Sequence, residues 1–575
     1  MSLEQVIILC LLLGVISGLL FTKIKPAILF AVVAFAAFQT GQVALEDMAA
    51  NFTNKSLLTL VLLVLSSAAL EKTRLVSWVG DQLAGGRLGT VVAKLGLSTA
   101  FLSSFTNNTA VVASLIGAVK RNRRHAPSRL LMPLSYAAIL GGTLTLIGTS
   151  TNLIINSFVE SAGLPALDFF APSMIGLAVL AGGMLILIPL CYLLPDNDDK
   201  DDDTLPYVLE ALIEPGSPLA GRSVSDNGLR ALRRLYLAEI IRDGKVIAPV
   251  CPDTVLEAGD KLQFAGDVES VATLQDMPGL SLFGQHHING QNLLEVVVSH
   301  SASIRGTTLK QAAFRENFDA VVVAIRRGHE KLEGGLGNIT LMAGDTLVLV
   351  PGKDFQRKQE RLNREFVLVN GLDSSTRLGS HKSRWVLSGF ALAIGAALTD
   401  VVPLLNGLAA YLMVLLMTGV ITLSDLQRRF PIDIVVIVGS ALSLSQMMLQ
   451  SGLSEQMGQI FMLLFNGWGV YGALVATYLL TLILTELVTN NAAAALAFPI
   501  GYSLALSYGV DPMPFIMAVL FGASASFISP YGYQTNLLVY SVGNYHFTDY
   551  IRIGLPLSVV YSVLVLALIP VFFPF

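Results

Sequence analysis

The sequence predicts an α-helical polytopic membrane protein with two inverted repeats, each with five membrane crossings and a re-entrant hairpin, plus a soluble α+β insertion. Three observations predict this fold class: the composition, the order of the apolar runs, and a pair of polar motifs that occurs twice. Of the 575 residues, 53% are hydrophobic and 14% are charged, whereas soluble domains carry about 25% charged residues. A chain of this composition is expected to cross a membrane several times.

The polar motifs place two adjacent asparagines inside an apolar stretch, and a second polar break follows each pair. Asn108 and Asn491 are 383 positions apart, and Asn152 and Asn536 are 384 positions apart. Two landmarks with nearly the same offset indicate an internal repeat. In chain order, the pairs and breaks are Asn107-Asn108, Thr151-Asn152, Asn490-Asn491 and Thr535-Asn536.

Each half of the chain contains five apolar runs long enough to span a bilayer. In both halves, a longer segment lies between the third and fourth runs and carries the paired asparagines near its middle. A turn at membrane depth needs polar side chains to satisfy its backbone, so we expect each of these segments, 88–119 and 470–508, to be a re-entrant hairpin. The ten runs are at about 3–22, 26–44, 56–71, 128–159, 172–194, 384–402, 404–423, 431–450, 512–543 and 554–574.

The charged residues predict which way the helices face. Basic residues such as Lys25, Lys72 and Arg129 collect on one side, and acidic residues such as Glu46 and Asp168 collect on the other. The basic side is expected to be cytoplasmic, which places both chain ends outside. Because five crossings per half is an odd number, the second half is inverted relative to the first, which is the usual architecture of a secondary transporter.

The chain between the halves is expected to be cytoplasmic because both flanking helices end on the basic side. An acidic run at 196–204 is predicted to be a linker. Short β-branched strands, each last strand preceded by a Gly-Asp turn, then predict one compact module at 205–280 and a second at 290–370. The membrane repeats occupy 1–195 and 382–575.

The motifs and their register resemble those of the divalent anion:sodium symporter family, which carries Ser-Asn-Thr at two hairpin tips and an unwound stretch in the next helix. The two soluble modules resemble TrkA C-terminal domains. In this comparison, Asn107 replaces serine at the first tip, and Asn490 and Ala492 replace serine and threonine at the second. The resemblance implies a multi-pass permease of the cell membrane, a homodimer in lipid, and a small cytoplasmic ligand for the modules.

Helix N-termini at the tips and breaks favour an anion, and freed carbonyls favour sodium as the coupling ion. No Arg or Lys lies near the four breaks in sequence, so bound cations are expected to supply the positive charge. The anion site is expected to comprise Asn107, Asn108, Thr109, Thr151, Asn152, Asn490, Asn491, Thr535 and Asn536. The sodium sites are expected to comprise Ser104, Asn108, Gly148, Thr489, Asn491 and Ser529.

Several alternatives remain open from sequence. The polar residues could join helices instead of forming a site, and Glu486 could couple protons or cations, or brace its hairpin. Sodium-coupled import of sulfate is favoured because Ala492 lacks the hydroxyl that a dicarboxylate would use. A sodium- or proton-coupled transporter of C4-dicarboxylate or citrate is the alternative, and a channel gated by the modules is less favoured because no Thr-Val-Gly-Tyr-Gly loop is present.

No catalytic motif supports an enzyme, and the net charge of −4 gives no indication of a nucleic-acid partner. The modules at 205–370 are expected to regulate transport without taking part in it. Simple stabilisation of a dimer by the modules is the alternative.

Overall fold

The structure, a computed structural model, contains a large bundle of apolar helices and two small β-sheets. The residues that it describes are 2–22, 24–73, 86–120, 122, 124–197, 207–229, 235–242, 245–247, 250–266, 274, 277–282, 294–299, 302–327, 330–332, 336–351, 365–370, 378–399, 401–453, 456, 459 and 469–575. Most of the acidic run at 196–204 therefore lies outside the described residues.

In the first half, the apolar runs form helices whose ends fall at polar residues, prolines and glycines. Ser2 and Asn54 cap the first and fourth helices through their side-chain oxygens, and Pro26 begins the second. The helices are α1 (Leu3–Phe21), α2 (Pro26–Gln39), α3 (Leu45–Phe52), α4 (Lys55–Glu71), α5 (Leu88–Ser103), α6 (Asn108–Lys120), α7 (Ser128–Gly142), α8 (Ser150–Ser161) and α9 (Ser173–Leu190).

Between the halves, two five-stranded antiparallel sheets have the same strand order. Each sheet has its own buried apolar cluster. In chain order the strands are β1 (Tyr207–Ile213), β2 (Leu235–Arg242), β3 (Lys245–Ile247), β4 (Lys261–Gly266), β5 (Leu280–Leu282), β6 (Leu294–Val298), β7 (Ala320–Arg327), β8 (Glu330–Lys331), β9 (Thr346–Pro351) and β10 (Phe366–Asn370), with the short helix α10 (Phe314–Phe318) before β7. The first sheet has the order β3-β2-β4-β1-β5. The second sheet, read from the opposite edge, has the equivalent order β8-β7-β9-β6-β10.

The second half repeats the succession of helices seen in the first. Gly509, with a φ of +67°, ends one of them in the left-handed conformation that glycine adopts readily. The helices are α11 (Ser380–Leu398), α12 (Leu404–Met417), α13 (Leu423–Arg429), α14 (Ile432–Gln450), α15 (Gly469–Leu487), α16 (Asn490–Tyr508), α17 (Met513–Ser524), α18 (Gln534–Val542) and α19 (Phe547–Phe572).

The helices pack as two groups, each drawn from both halves of the chain. Helices α1–α4 and α11–α14 form one group, which we call the scaffold. Helices α5–α9 and α15–α19 form the other, which we call the core group, and in it α9 packs on α19. The two groups meet where α4 and α14 contact α8, and where α14 contacts α16.

The second sheet packs directly on the core group. Val297 of β6 is 2% exposed and belongs to the apolar cluster of the membrane helices, and Lys120 at the end of α6 lies 3.2 Å from the Glu295 carboxylate. Ser541 in α18 donates a hydrogen bond to the Gly344 carbonyl. A Cβ on Gly344 would lie 2.7 Å from Leu537, so this close approach requires glycine.

The helices end near the expected breaks and paired asparagines, and two short helices were not expected. The runs at 128–159 and 512–543 are each divided, at 143–149 and 525–533, near the predicted polar breaks. The segments 88–119 and 470–508 each form two helices that meet at the paired asparagines. The short helices α3 and α13 were not predicted, because their charged residues separate them from the apolar runs.

Because several helices are broken or short, only part of the expected crossings satisfy a simple length criterion. Within the described residues, five helical stretches are long and apolar enough to cross a membrane: Leu45–Leu70, Ser173–Leu193, Ile432–Gln450, Gly469–Leu487 and Phe547–Phe572.

Candidate functional site

A cavity of about 260 Å³ lies between the scaffold and the core group. Its size suits a small ion, since sites for drug-sized ligands occupy about 300–1,000 Å³. Residues from both halves line it, together with one residue of the second sheet module. They include Lys25, Ser67, Thr106, Asn107, Asn108, Thr109, Gly148, Thr149, Ser150, Thr151, Arg305, Asp433, Thr489, Asn490, Asn491, Tyr531, Gly532, Tyr533 and Gln534.

Four helices of the core group begin at this cavity. Helices α6 and α8 start at Asn108 and Ser150, and α16 and α18 start at Asn490 and Gln534. The first turn of a helix carries unpaired N–H groups and the positive end of the helix dipole. Four converging N-termini therefore favour an anion at their centre.

The cavity lies at the end of the scaffold from which the sheet modules emerge. Lys25 and Asp433 lie beside the N-termini of α2 and α14, and Ser67 lies near the C-terminus of α4. Towards the other end of α4, the Asn156 amide in α8 donates to the Ser56 hydroxyl at 3.1 Å. Between these helices, scaffold and core group are thus in contact at one end and separated by the cavity at the other.

The first tip is fixed by local hydrogen bonds. The Asn107 side chain accepts from the backbone N–H of Thr109 at 2.9 Å and caps α6. The Ser103 hydroxyl contacts both the Asn108 side-chain oxygen and the Ala138 carbonyl, the latter at 2.9 Å, and its single proton is shared between these two acceptors. These contacts leave the Asn108 amide nitrogen directed at the Tyr533 hydroxyl, 2.6 Å away.

The second tip makes the same contacts, one position earlier than the sequence comparison implied. The Thr485 hydroxyl lies 3.0 Å from the Asn490 side-chain oxygen and 2.7 Å from the Ala523 carbonyl, and its single proton is shared between these two acceptors. Thr489 caps α16 through the backbone N–H of Ala492. Asn108 therefore corresponds to Asn490, and the expected pairing of Asn108 with Asn491 is wrong.

The third position of each tip reaches across to the break in the other half. Thr109 donates to the Gln534 side chain at 3.2 Å, and Ser150 donates to the Asn491 side chain at 3.2 Å. Thr489-Asn490-Asn491 thus matches Asn107-Asn108-Thr109 position by position. In this register Asn491, and not Ala492, stands at the position of Thr109, and the second tip carries its hydroxyl at the first position, on Thr489.

Three predicted anion ligands do not line the cavity. Asn152 and Asn536 are buried behind the breaks and donate to backbone carbonyls, Asn152 to Thr145 at 2.9 Å and Asn536 to Ser526 at 2.9 Å. Thr535 accepts a hydrogen bond from Ser135 at 2.8 Å. An unwound stretch exposes carbonyls that need donors, so these side chains hold the breaks open instead of facing the cavity.

Glu486 braces the second break. Its carboxylate accepts three backbone hydrogen bonds, from the N–H groups of Phe527, Ile528 and Ser529, each at 2.9 Å. In the first half, Ser104 occupies the matching position, and its carbonyl accepts from the Thr145 hydroxyl at 2.5 Å. Of the two alternatives for Glu486, this geometry favours the bracing one.

Several buried polar atoms lack a hydrogen-bond partner among the described residues, and they include atoms of Asn490, Asn152 and Ser526 at the tips and breaks. The Asn490 amide nitrogen is a donor, and its side chain lines the cavity. The Asn152 side-chain oxygen is an acceptor behind the first break. An unpaired buried donor suits an anion, and an unpaired buried oxygen suits a hard cation such as sodium.

The expected sodium ligands lie on both sides of the tips. Gly148, Thr489, Asn108 and Asn491 line the cavity. Ser104 and Ser529 lie behind the cavity. The Ser104 hydroxyl donates to the Phe101 carbonyl. The Ser529 hydroxyl accepts a hydrogen bond from the backbone N–H of Tyr531. Within the part of the chain that the structure describes, no cluster of His, Cys, Asp and Glu could hold a metal ion.

The sequence missed two cationic residues of the cavity wall. Lys25 and Arg305 both line it, although neither is close in sequence to a tip or a break. The expectation that no Arg or Lys lies near the breaks is therefore wrong for the folded protein. The missed polar residues, including Tyr533 and Gln534, are within the break motif and could have been found from it.

The chain matches known transporters over most of its length. The family model described as citrate transporter, CitMHS, matches residues 12–522. A Chlamydomonas reinhardtii protein described as a sulfur deprivation response regulator is 32% identical over 559 residues, which cover 93% of this chain and 96% of that protein. An uncharacterized transporter of Synechocystis is 30% identical over 564 residues, covering 93% and 91%.

A further relative is sodium/sulfate cotransporter 1 of Chlamydomonas reinhardtii, 28% identical over 380 residues, which cover 63% of this chain and 42% of that protein. The matched family consists of transporters and not enzymes. The resemblance to the divalent anion:sodium symporters is confirmed, and the broken apolar helices agree with a multi-pass membrane protein. The chain belongs to the citrate transporter family and is a secondary transporter of small anions.

Proposed function

We propose that this protein imports a divalent anion, sulfate, together with sodium by alternating access. The observation that carries the proposal is the convergence of four helix N-termini on one cavity, with the unpaired Asn490 amide nitrogen in its wall. A dianion placed there gains the dipoles of all four helices and a hydrogen bond from Asn490. Asn107, Asn108, Thr109, Thr151 and Asn491 complete the proposed wall around it.

Sulfate is supported by the relatives named as sodium/sulfate cotransporters. The description of the family model favours the second candidate, a sodium- or proton-coupled transporter of citrate or a C4-dicarboxylate. A cavity of about 260 Å³ is large enough for either kind of anion, so its volume does not separate the candidates. The two matched tips no longer separate these candidates, because both carry a hydroxyl.

Sodium is proposed to bind behind the tips, where the breaks expose backbone carbonyls. The unpaired Asn152 oxygen supports a site in the first half. Sodium prefers oxygen ligands, and its charge would stabilise the anion in the adjacent cavity. Each ligand then raises the affinity for the other by the same factor.

The two halves are proposed to be inverted repeats, with boundaries at 1–195 and 382–575. The matched contacts of Ser103 with Asn108 and of Thr485 with Asn490 support this reading. The tips are proposed to be re-entrant, and the modules at 205–280 and 290–370 to be cytoplasmic. On this assignment the cavity opens inward, and the core group moves against the scaffold during transport.

The test is uptake of labelled sulfate into vesicles containing the purified protein. We expect accumulation against a gradient with an inward sodium gradient, and none when potassium replaces sodium. Succinate and citrate should compete weakly. Sodium-driven uptake of citrate or succinate without sulfate uptake would replace sulfate by the second candidate, and passive potassium flux would contradict a transporter.

A further inference from the structure

Arg305 connects the second sheet module to the transport cavity. It lies in the turn between β6 and α10, more than 100 residues from either tip in sequence, yet it lines the same cavity as Asn108 and Asn490. Its side chain is partly buried. An arginine beside a cavity built from helix N-termini adds a full positive charge and a planar set of donors.

The turn that carries Arg305 is held in place from both sides. The buried Glu365 carboxylate accepts from the Ser303 hydroxyl at 2.6 Å and from the backbone N–H of Ile304 at 3.4 Å. On the other side, the backbone N–H of Gly306 donates to the Leu341 carbonyl at 2.8 Å. The backbone of Arg305 is therefore positioned by groups within its own module.

The module itself is fixed to the two helices that run away from the cavity. Helix α6 begins at Asn108 and ends at Lys120, which pairs with Glu295. Helix α18 begins at Gln534, and its Ser541 donates to the Gly344 carbonyl. The module thus holds the far ends of two helices whose near ends form the site.

The first module supplies an internal comparison. Gly221 and Gly306 occupy matching positions, since their N–H groups donate to Leu256 and Leu341 at 2.8 Å in each module. The residue before Gly221 is Ala220, so the first module has no cation where the second has Arg305. Among the described cavity-lining residues, none comes from the first module.

We propose that Arg305 contacts the transported anion at the cytoplasmic mouth of the cavity, so that the second module contributes directly to the transport site. This inference rests on the proposed function for the sidedness and the anion. It replaces the expectation that the modules take no part in transport. Because the charge is carried by a soluble module, movement of that module would withdraw it and weaken the anion site.

The test compares Arg305→Gln and Arg305→Lys with Arg222→Gln, which removes an arginine from the corresponding region of the first module. In inside-out vesicles, where the cytoplasmic face is outside, Arg305→Gln should raise the KM for sulfate by about tenfold. Arg305→Lys should stay within about threefold of wild type because it keeps the charge. Arg222→Gln should have no effect, and right-side-out vesicles should show a smaller change for Arg305→Gln.

Chemical restoration of the charge gives a second readout. In a background with Cys10, Cys191 and Cys251 changed to serine, Arg305→Cys is treated with an aminoethyl or a sulfonatoethyl methanethiosulfonate. We expect the positive group to restore the KM and the negative group to raise it further. Unchanged kinetics in every Arg305 variant would overturn the proposal. Faster sulfate transport in Arg305→Gln would also overturn it, because the Arg305 side chain would then be obstructing the cavity instead of binding the anion.

Failure of the proposed function gives a different result. If wild-type protein does not transport sulfate with sodium, the sulfate assignment fails by itself. The Arg305 proposal is then decided by whether sulfate, succinate or citrate slows modification of Arg305→Cys, with chloride as the control anion. If sulfate, succinate and citrate all fail to slow the modification, a contact between Arg305 and the anion is contradicted.

Discussion

At the first tip, the Asn108 amide nitrogen donates to the Tyr533 hydroxyl, whereas the matching nitrogen of Asn490 has no partner among the described residues. The breaks behind the tips differ as well. Thr145 joins the first break to its tip through one neutral hydrogen bond, and Glu486 joins the second through three bonds to a carboxylate. We call the tip and break of each half a half-site. The two half-sites have the same backbone arrangement, but they present different atoms to a ligand.

We propose that this difference makes the second tip the stronger anion ligand. The second tip offers an unpaired donor and has a firmly braced break, which suits anion binding. Within the described residues, the first break offers the unpaired amide oxygen of Asn152 and the second offers the unpaired hydroxyl oxygen of Ser526, so each break has an oxygen that suits a cation. Internal repeats preserve the packing that positions helix ends, while single side chains decide which ion each end prefers.

The largest effect is expected from Glu486→Gln. Gln keeps one acceptor and turns an amide toward N–H groups, so the second break loses about 3 kcal/mol or more of support, given about 1.5–3 kcal/mol for each charged hydrogen bond. Uptake should fall to background at every pH. The midpoint temperature of thermal unfolding should also be lower than in the wild type. Thr145→Val is the matched control in the first half, where about 0.5–1.5 kcal/mol is lost. Normal folding with uptake that has only lost its pH dependence would instead make Glu486 a coupling residue.

Asn490→Ala and Asn108→Ala measure how unequal the tips are. Removal of the Asn490 donor should raise the KM for the anion by roughly 10- to 100-fold, as expected for one hydrogen bond to a charged group. Asn108→Ala should change the anion KM less and the sodium requirement more, because its nitrogen is bound to Tyr533. Kinetics at several sodium concentrations separate the two effects. Equal changes in both variants would show that Asn108 also binds the anion.

Tyr533→Phe should make the half-sites more alike. It removes the acceptor of the Asn108 amide nitrogen and leaves a second donor facing the cavity. We expect the anion KM to fall severalfold, by less than about tenfold, and competition by succinate to increase. Tyr531→Phe, in the same cavity wall, is the control. A loss of uptake confined to Tyr533→Phe would indicate that its hydroxyl binds the ligand directly.

The smallest effect is expected at the Lys72–Asp425 pair, which joins the scaffold parts of the two halves outside the membrane span at 2.9 Å. Burial raises the pKa of the Asp425 carboxyl, but the Lys72 ammonium and the Thr422 N–H and hydroxyl outweigh burial and lower the pKa to about 2. The pair therefore stabilises the fold above the ordinary carboxyl pKa of about 4, and this stabilisation is lost as the pH falls through about 2.

Asp425→Asn should lower the unfolding temperature by about 1 °C, and by the same amount at every pH from 5 to 8, as expected for a loss of about 1 kcal/mol in a chain of this length. Its uptake should keep the pH profile of the wild type. A difference in unfolding temperature that varies between pH 5 and 8 would contradict the assignment.

Much of this molecule could be predicted from the sequence because the signals are local. Apolar runs interrupted by polar motifs predicted helices that end at the tips and breaks, and the repeated offset predicted that the halves correspond. The exact register failed by one residue, since Asn490 and Asn491 are chemically identical neighbours and only the contacts of Thr485 and Thr489 distinguish them. The sequence predicts Asn152, Asn536 and Thr535 as ligands although they do not line the cavity, because a sequence does not show which face of a break is turned toward it.

The sequence by itself determined the membrane class, the family, the repeat and the polar motifs, because hydrophobicity and helix-ending residues act over a few turns of chain. Only the tertiary structure decided which atoms remain unpaired, what Glu486 holds, and that Arg305 and Lys25 reach the cavity. These depend on contacts between residues far apart in the chain. Arg305 is the clearest case, because its place in the wall follows from the packing of the second sheet on α6 and α18, which no local pattern in the sequence records.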